Sequence, residues 1–388
     1  MTPVCAGSKA VRRAGAALVL AALLSLGVAV PGSVRAQGAV AAPAAGSAAV
    51  VYPAADWERI AVPEDFGYSS ALLEKVRRYA GGLETTGLMV VVGGRVLLEY
   101  GDVEQVSYVA SVRKSILAML YGKYVENGTI DLSRTLADLG MDDHLGLTLR
   151  EKQATVEDLI TARSGIYHPA SNPGDNQADA PPRGVHRPGE YFLYNNWDFN
   201  AAGAAFEKMT RKDIYDALEA DLAKPIGMQD FDRSIHVKSG DTTRSRYPAY
   251  HIRLSTRDMA RIGLLMLREG RWQDRQVVPR DWVRRITSVV TPVEQMNPAP
   301  LRYMGWGYGY MWWVADGDDT PPAFRGAYSG RGAYGQYITV LPALDMVVAH
   351  KTAVPPDRTT TWTEYQGILH RLVAARCGGP EPPAFCRT

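Results

Sequence analysis

Ser111-Val112-Arg113-Lys114 heads a run in which apolar residues recur at Ile116, Leu117, Leu120 and Val125, and which stops at Asn127-Gly128. That recurrence has the period of an α-helix, and Asn-Gly is a common way to end one. On a helix, residues three apart share a face, so the Lys114 amine can reach the Ser111 hydroxyl. A serine needs a partner to take its proton. A lysine serves if burial and positive neighbours bring its pKa down from about 10.4. A nucleophile at a helix start also gains from the positive end of the helix dipole. Ser111 is therefore a candidate nucleophile and Lys114 its candidate base. Ser-x-x-Lys alone is weakly specific, so its surroundings decide.

Upstream, Leu88 to Val92, Gly93-Gly94 and Arg95 to Tyr100 read as strand, turn and strand, a hairpin just before the Ser111 helix. Downstream, Thr155 to Asp158 opens a helix with a capping box, Asp158 standing where Glu is usual. Residues 168 to 190 lack periodicity and form a long loop, the kind that carries function. Helices are expected from Asn200 to Leu222 and from Thr256 to Glu269. Strands are expected from Trp306 to Val314 and from Tyr337 to Val348, with a Gly/Ser-rich turn region between them and a closing helix from Thr361 to Ala375. Strands at both ends with helices between them predict an α/β (α+β) fold. One sheet is built from both chain ends, flanked by helices, and carries an inserted, mostly helical subdomain. The hydrolytic domain is expected over 56–376, its α/β part at about 56–115 and 300–376 and its helical part at about 116–299.

The N-terminus reads as an export signal. Lys9, Arg12 and Arg13 precede an apolar run from Ala14 to Val30, and Val34-Arg35-Ala36 offers small residues for cleavage before Gln37. The alternative, an uncleaved anchor, is disfavoured because the run is short and Pro31-Gly32 breaks it. Residues 1–36 are thus a signal peptide and 37–55, rich in Ala, Gly, Pro and Val, a linker. The location is then periplasmic or secreted, with no stable membrane insertion after cleavage. Cys5 leaves with the signal, and Cys377 and Cys386 remain around a short, breaker-rich segment. In an oxidising compartment they are expected to form a disulfide that pins the tail, 377–388. A Cys/Cys metal site is the alternative, but no His or third Cys lies near it.

With 43 basic and 41 acidic residues interspersed, for a net charge of +2, the chain has no basic stripe for nucleic acid. None of the seven histidines falls in a metal-binding spacing, and Gly-x-Ser-x-Gly and Walker-type loops are absent. No metal or other cofactor is expected. The partner is a small-molecule ester, amide or peptide substrate.

Pro188 to Asn196 supplies a second element, Tyr194-x-Asn196. A phenol near a lysine can be ionised or relay a proton to a leaving group, and an Asn amide can hold a substrate carbonyl. The alternatives are a Tyr packed beneath a loop and an Asn capping the next helix. Ser111-x-x-Lys114 followed by Tyr194-x-Asn196 resembles the penicillin-recognising serine hydrolases. The closest look is to class C β-lactamases, their esterase relatives and 6-aminohexanoate-dimer hydrolase. The resemblance extends to residues 155–165, to Ser255 through Gly263, and to Gly332-Ala333-Tyr334-Gly335-Gln336-Tyr337 leading into Pro342. It implies a β-lactamase/transpeptidase-like antiparallel sheet, an acyl-enzyme on Ser111 and proton transfer by Tyr194.

The third family motif, Lys-Thr-Gly or His-x-Gly, is missing. In its place stands Ala327-Tyr328-Ser329-Gly330-Arg331-Gly332, while Lys351-Thr352-Ala353 lies beyond the strand. The family's usual grip on a substrate carboxylate is therefore in doubt. Arg331 either substitutes for that lysine or is a solvated turn residue. Gly330 to Gly332 is expected to supply one backbone N–H of an oxyanion hole, with that of Ser111 as the other. Among the aromatic residues before this turn, Trp312 and Trp313 are expected in the core and Trp306, beside glycines, in the pocket. The loss of Lys-Thr-Gly favours an esterase, amidase or peptidase. The alternatives are a β-lactamase or D-amino-acid peptidase proper and, outside catalysis, a penicillin-binding-type sensor. The mature, exported protein should begin near Gln37 and show no free thiol. N-terminal sequencing and thiol titration after denaturation check both.

Overall fold

The computed structural model describes residues 50–317, 319–353 and 358–387. The expected signal peptide and most of the expected linker lie outside this range. Residues at the end of that linker are packed rather than loose. The Tyr52 ring lies 5.3 Å from that of Trp272, and the carbonyls of Ala54 and Ala55 accept from Arg261 Nη2.

Seven strands form the main sheet: β1 (Gly87–Val92), β2 (Arg95–Gly101), β3 (Trp306–Tyr308), β4 (Trp313–Ala315), β5 (Tyr328–Gly332), β6 (Gln336–Leu341) and β7 (Met346–Lys351). Their order is β2-β1-β7-β6-β5-β4-β3 with every pair antiparallel, so the sheet is indeed built from both chain ends. β1 is buried along its whole length, as its sequence Gly-Leu-Met-Val-Val-Val requires. The helices are α1 (Ser70–Gly81), α2 (Val112–Glu126), α3 (Val156–Ile160), α4 (Asn196–Thr210), α5 (Ile214–Leu218), α6 (Thr256–Leu267), α7 (Arg280–Ile286) and α8 (Trp362–Cys377). α6 lies so close to the sheet that a Cβ at Gly263 would stand 2.3 Å from Val347 Cγ1. α8 contributes Tyr365, which stacks on Tyr337 of β6 and donates to Thr339 Oγ1 at 2.8 Å.

Four expectations change, each for a local reason. The stretch from Trp306 is two strands, because Met311 takes a left-handed φ of 59° and turns the chain. The stretch from Tyr337 is likewise two strands, joined through Pro342–Leu344 and Asp345 at φ 47°. The helix expected from Asn200 begins at Asn196, because the Asn195 side chain accepts from Asp198 N and caps it, and ends at Thr210, followed by left-handed Arg211. The Gly/Ser-rich turn region contains β5, a fully buried strand.

The glycines of β5 record a close approach rather than a bend. A Cβ at Gly330 would meet Ser115 Oγ at 2.9 Å, and one at Gly332 would meet Val109 O at 2.6 Å. α2 and the chain leading into it therefore press directly on β5. Alternation then puts Ser329 and Arg331 on the opposite face, toward α8. Ser329 Oγ bonds Thr339 Oγ1 there, and Arg331 lies over the Trp362 ring.

Lys351 ends β7 instead of following it. Its side chain is 2% exposed, and Nζ donates to Leu254 O and, at 2.9 Å, to Ser107 O. It thereby ties the short ladder between Ser107–Tyr108 and Arg253–Leu254 to the sheet. Burial lowers its pKa to about 7. Between that value and about 10.4 the unfolded chain binds more protons than the folded one, so this lysine's contribution to stability rises with pH there. Below about 7 the burial cost is present in full. The difference in melting temperature, Lys351→Met minus wild type, should therefore move in the variant's favour as pH falls from about 9.5 to about 6.5. Paired thermal unfolding scans at the two pH values check it.

Candidate active site

Ser111 follows Ala110, whose φ of 46° is left-handed without a glycine. Such strain persists only where the surroundings hold it. Here Val109 N donates to Ile252 O at 3.1 Å on one side, and α2 begins on the other. Ser111 occupies the N-cap position of α2 but does not cap it, whereas Ser69, Thr155, Asn195, Ser255 and Thr361 all cap their helices through the side chain. Its hydroxyl is held elsewhere.

Lys114 holds it. Nζ donates to Ser111 Oγ at 2.8 Å, to Tyr194 Oη at 2.7 Å and to Asn196 Oδ1 at 2.7 Å. The Lys114 side chain is 1% exposed and lies over the rings of Tyr194 and Phe199, 4.4 and 4.6 Å from their centroids. Burial, and then the charge of Arg113, push its pKa well below the usual lysine range, with Asp175 opposing. Tyr194 is raised by burial, which leaves it a neutral phenol at physiological pH and favours the proton-relay reading over the ionised one.

Asn196 borders a smaller hollow beside Ser111, but its side chain is already engaged. It accepts from the lysine, its Nδ2 donates to Pro173 O at 2.9 Å, and its backbone N–H donates to Asp175 Oδ2 at 2.7 Å. It positions the base more than it offers a free amide to a carbonyl. Asp175 comes from the long loop, which folds back here through Asn176 N to Tyr194 O. With Gly174 and Asn176 it forms one wall of a cavity of about 380 Å³.

Ser111, Tyr194, Arg331 and Gly332 line that cavity. Gly330 does not; it lies deeper, against Ser115. A Cβ at Gly332 would stand 3.0 Å from Ser111 N, a backbone donor that has no acceptor among the described residues. The cavity wall is Trp313, whose ring centroid is 5.8 Å from that of Tyr194. Trp306 lies behind, packed edge-on to Trp362 and lining a second hollow of about 290 Å³. Trp312 and Trp313 are in the core as expected, Trp313 also facing this cavity, whereas Trp306 lines the second hollow and not the one at Ser111. Arg331 is not a solvated turn residue but a buried strand residue facing three tryptophans. Lys351 is bound to backbone carbonyls and lines none of these cavities.

Residue reasoning from the sequence missed Arg113, 1% exposed, whose Nη2 donates to Asn200 Oδ1 at 2.8 Å and whose guanidinium lies 4.3 Å from the Tyr250 ring centroid. A charge inside an apolar helical run was the available signal. Asp175 had none beyond its place in the loop. Cys377 and Cys386 are bonded, with Cα atoms 5.3 Å apart. Among the described residues no cluster of His, Cys, Asp or Glu could hold a metal, and no helix is long and apolar enough to cross a membrane.

An antiparallel sheet closed by strands from both chain ends, with a Ser-Lys pair at the helix behind it, is the architecture of the penicillin-recognising serine hydrolases. The family model described as Beta-lactamase matches residues 71–364, and the chain belongs to that family. It is 25% identical over 312 residues to the 6-aminohexanoate-dimer hydrolase of Paenarthrobacter ureafaciens, covering 74% of this chain and 77% of the relative. Among solved structures, a β-lactamase from Mycobacterium bovis superimposes with TM-score 0.54 at 18% identity, over 78% of this chain and 99% of that one. EstCE1, a hydrolase with promiscuous acyltransferase activity, does so with TM-score 0.57 at 14% identity, over 80% and 99%. These likenesses are of fold.

If the contact between Gly332 and Ser111 sets the entrance to the cavity, Gly332→Ala should force β5 and the Val109–Ser111 segment apart. The expected result is at least a tenfold slower reaction of Ser111 with a fluorophosphonate, with far-ultraviolet circular dichroism unchanged.

Proposed function

We propose that the protein is an exported serine hydrolase that cleaves an ester or amide through an acyl-enzyme on Ser111. The observation that carries the reading is the 2.8 Å contact between Lys114 Nζ and Ser111 Oγ at a lysine whose pKa burial has lowered. A neutral amine has two N–H groups and one lone pair, so one of the three Lys114 contacts must reverse. Reversal at Ser111 makes the lysine a base. Ser111 Oγ then bonds to the substrate carbonyl carbon while its proton passes to Nζ. The carbonyl oxygen takes the negative charge and is stabilised by the vacant Ser111 N–H and the adjoining end of β5. Collapse breaks the bond to the leaving group, which takes a proton from the Tyr194 phenol, and the Lys114 ammonium, 2.7 Å away, restores it. Water attacks the acyl-enzyme by the reverse proton path, releasing the acid and free Ser111.

Membership of the β-lactamase family and a relative named for hydrolysing a 6-aminohexanoate dimer support hydrolysis. Export rests on the N-terminal sequence. The missing Lys-Thr-Gly favours esterase, amidase or peptidase chemistry over a dedicated β-lactamase.

A serine-directed fluorophosphonate should label Ser111 and no other residue, with labelling lost in a folded Ser111→Ala protein. Peptide mass spectrometry that finds the label on Ser164 or Ser329 would overturn the assignment. Because the base must be neutral, the rate should rise with pH through the lowered lysine pKa, its acid limb lying well below the ordinary value of about 10.4. A pH–kcat/KM profile with a short-chain ester checks this.

A further inference from the structure

The cavity of about 380 Å³ is one of two that open on Ser111. The other, of about 280 Å³, is walled by Tyr108, Arg113, Asn196 and His251. Ser111, Gly174, Ala333 and Tyr334 border both. A carbonyl attacked at Ser111 carries two substituents, and its departing atom must lie beside the group that protonates it. Tyr194 lines the larger chamber and not the smaller, so the acyl group extends into the smaller one.

That smaller chamber holds a cation without a counter-charge. Arg113, on α2, is 1% exposed; its Nη2 is taken by Asn200 Oδ1, while Nη1 is buried with no acceptor. The Tyr250 ring, 4.3 Å from the guanidinium carbon, offsets part of the burial cost through cation–π attraction but accepts no N–H. Burial raises the pKa of Tyr108 and Tyr250, with Arg113 opposing, so neither phenol supplies a negative oxygen. The His251 imidazole, whose Nδ1 lies 3.1 Å from Tyr108 Oη, is held down to about 4 by burial and then by the charges of Arg113 and Arg253. It is neutral as well. No Asp or Glu lines this chamber, and among the described residues none pairs with Arg113 or Arg253. Tyr108 and His251 also border a further hollow that includes Arg253 and again no carboxylate. An arginine stays protonated in proteins, and a buried charge is costly unless paired. A carbonyl would occupy the free N–H and leave the charge; a carboxylate answers both.

We infer that the acyl group of the preferred substrate ends in a carboxylate that docks on Arg113. The substrate class is then a monoester or monoamide of a dicarboxylic acid. Hydrolysis adds one water and releases the diacid and the alcohol or amine. The sidedness rests on the acyl-transfer reading; the anion site does not.

Binding measured apart from turnover separates the two. The probes are the monomethyl and dimethyl esters of succinic, glutaric and adipic acids, which differ in one charge at each length. In Ser111→Ala protein, calorimetry at the best length should show the monoester binding about ten- to a hundredfold more tightly than the diester, the range of a charge-assisted bond. With active enzyme, kcat/KM should favour the monoester by a similar factor. Arg113→Met should bring both ratios near unity, Arg113→Lys should keep part of each, and Arg331→Met should leave both in place. Equal binding at every length, a preference that survives Arg113→Met or vanishes in Arg331→Met, or a monoester bound more tightly but turned over no faster overturns the proposal. Should Arg113→Met fail to fold, His251 decides with Arg113 intact. In Ser111→Ala protein its imidazole resonances should shift when the monoester binds, and unmoved resonances place the anion elsewhere and overturn the assignment. Selective binding without hydrolysis of either ester upholds the anion site and overturns acyl transfer instead.

Discussion

An amine withdrawn from water loses much of the solvation that keeps it charged, and Lys114 is withdrawn almost completely. What replaces water is a fixed set of three oxygens, on Ser111 at the start of α2 and on Tyr194 and Asn196 at the start of α4. The rest of the site is arranged to hold those oxygens still. Asp175 fixes the Asn196 backbone, and the strained Ala110 turns Ser111 inward. The glycines of β5 let the sheet close against the helix that carries the lysine. Arg113 adds a second buried cation next in sequence, bound to Asn200 and Tyr250 instead of to a carboxylate, so its charge still bears on Lys114.

Much of this is legible in the sequence. Gly93-Gly94 announced the first hairpin, and periodicity with Asn127-Gly128 announced α2. The Thr155–Asp158 capping box formed as read. The hidden features share a cause. Met311 and Asp345 turn the chain with left-handed φ values but without glycine, so two hairpins looked like two long strands. β5 gave the opposite error. Its glycines are there because α2 and Val109 leave no room for a Cβ, yet in a sequence they look like a turn. Ser111 and Lys114 share one helix and could be paired by spacing. Asn200, Asp175 and Tyr250 reach the site only through tertiary packing, which leaves no local mark.

The same alternation that empties one face of β5 fills the other. With glycine at 330 and 332, residue 331 projects toward α8, and a long cation there meets Trp306, Trp313 and Trp362. One face of the strand is bare against α2, and its charge stands on the other.

The sheet has a temporal consequence. β1 is made early, yet its partner on the inner side is β7, with Leu88 opposite His350. β5, which backs the Ser111 helix, is likewise a late product of synthesis. A growing chain thus carries an apolar strand with one edge unpaired, and a helix without its backing strand, through most of its elongation. Such long-range pairing is slow to form and leaves strand edges open to other chains meanwhile. Termination before Trp306 would leave, of the main sheet, only the β1–β2 hairpin, and the helices made by then would lack the five strands that complete it.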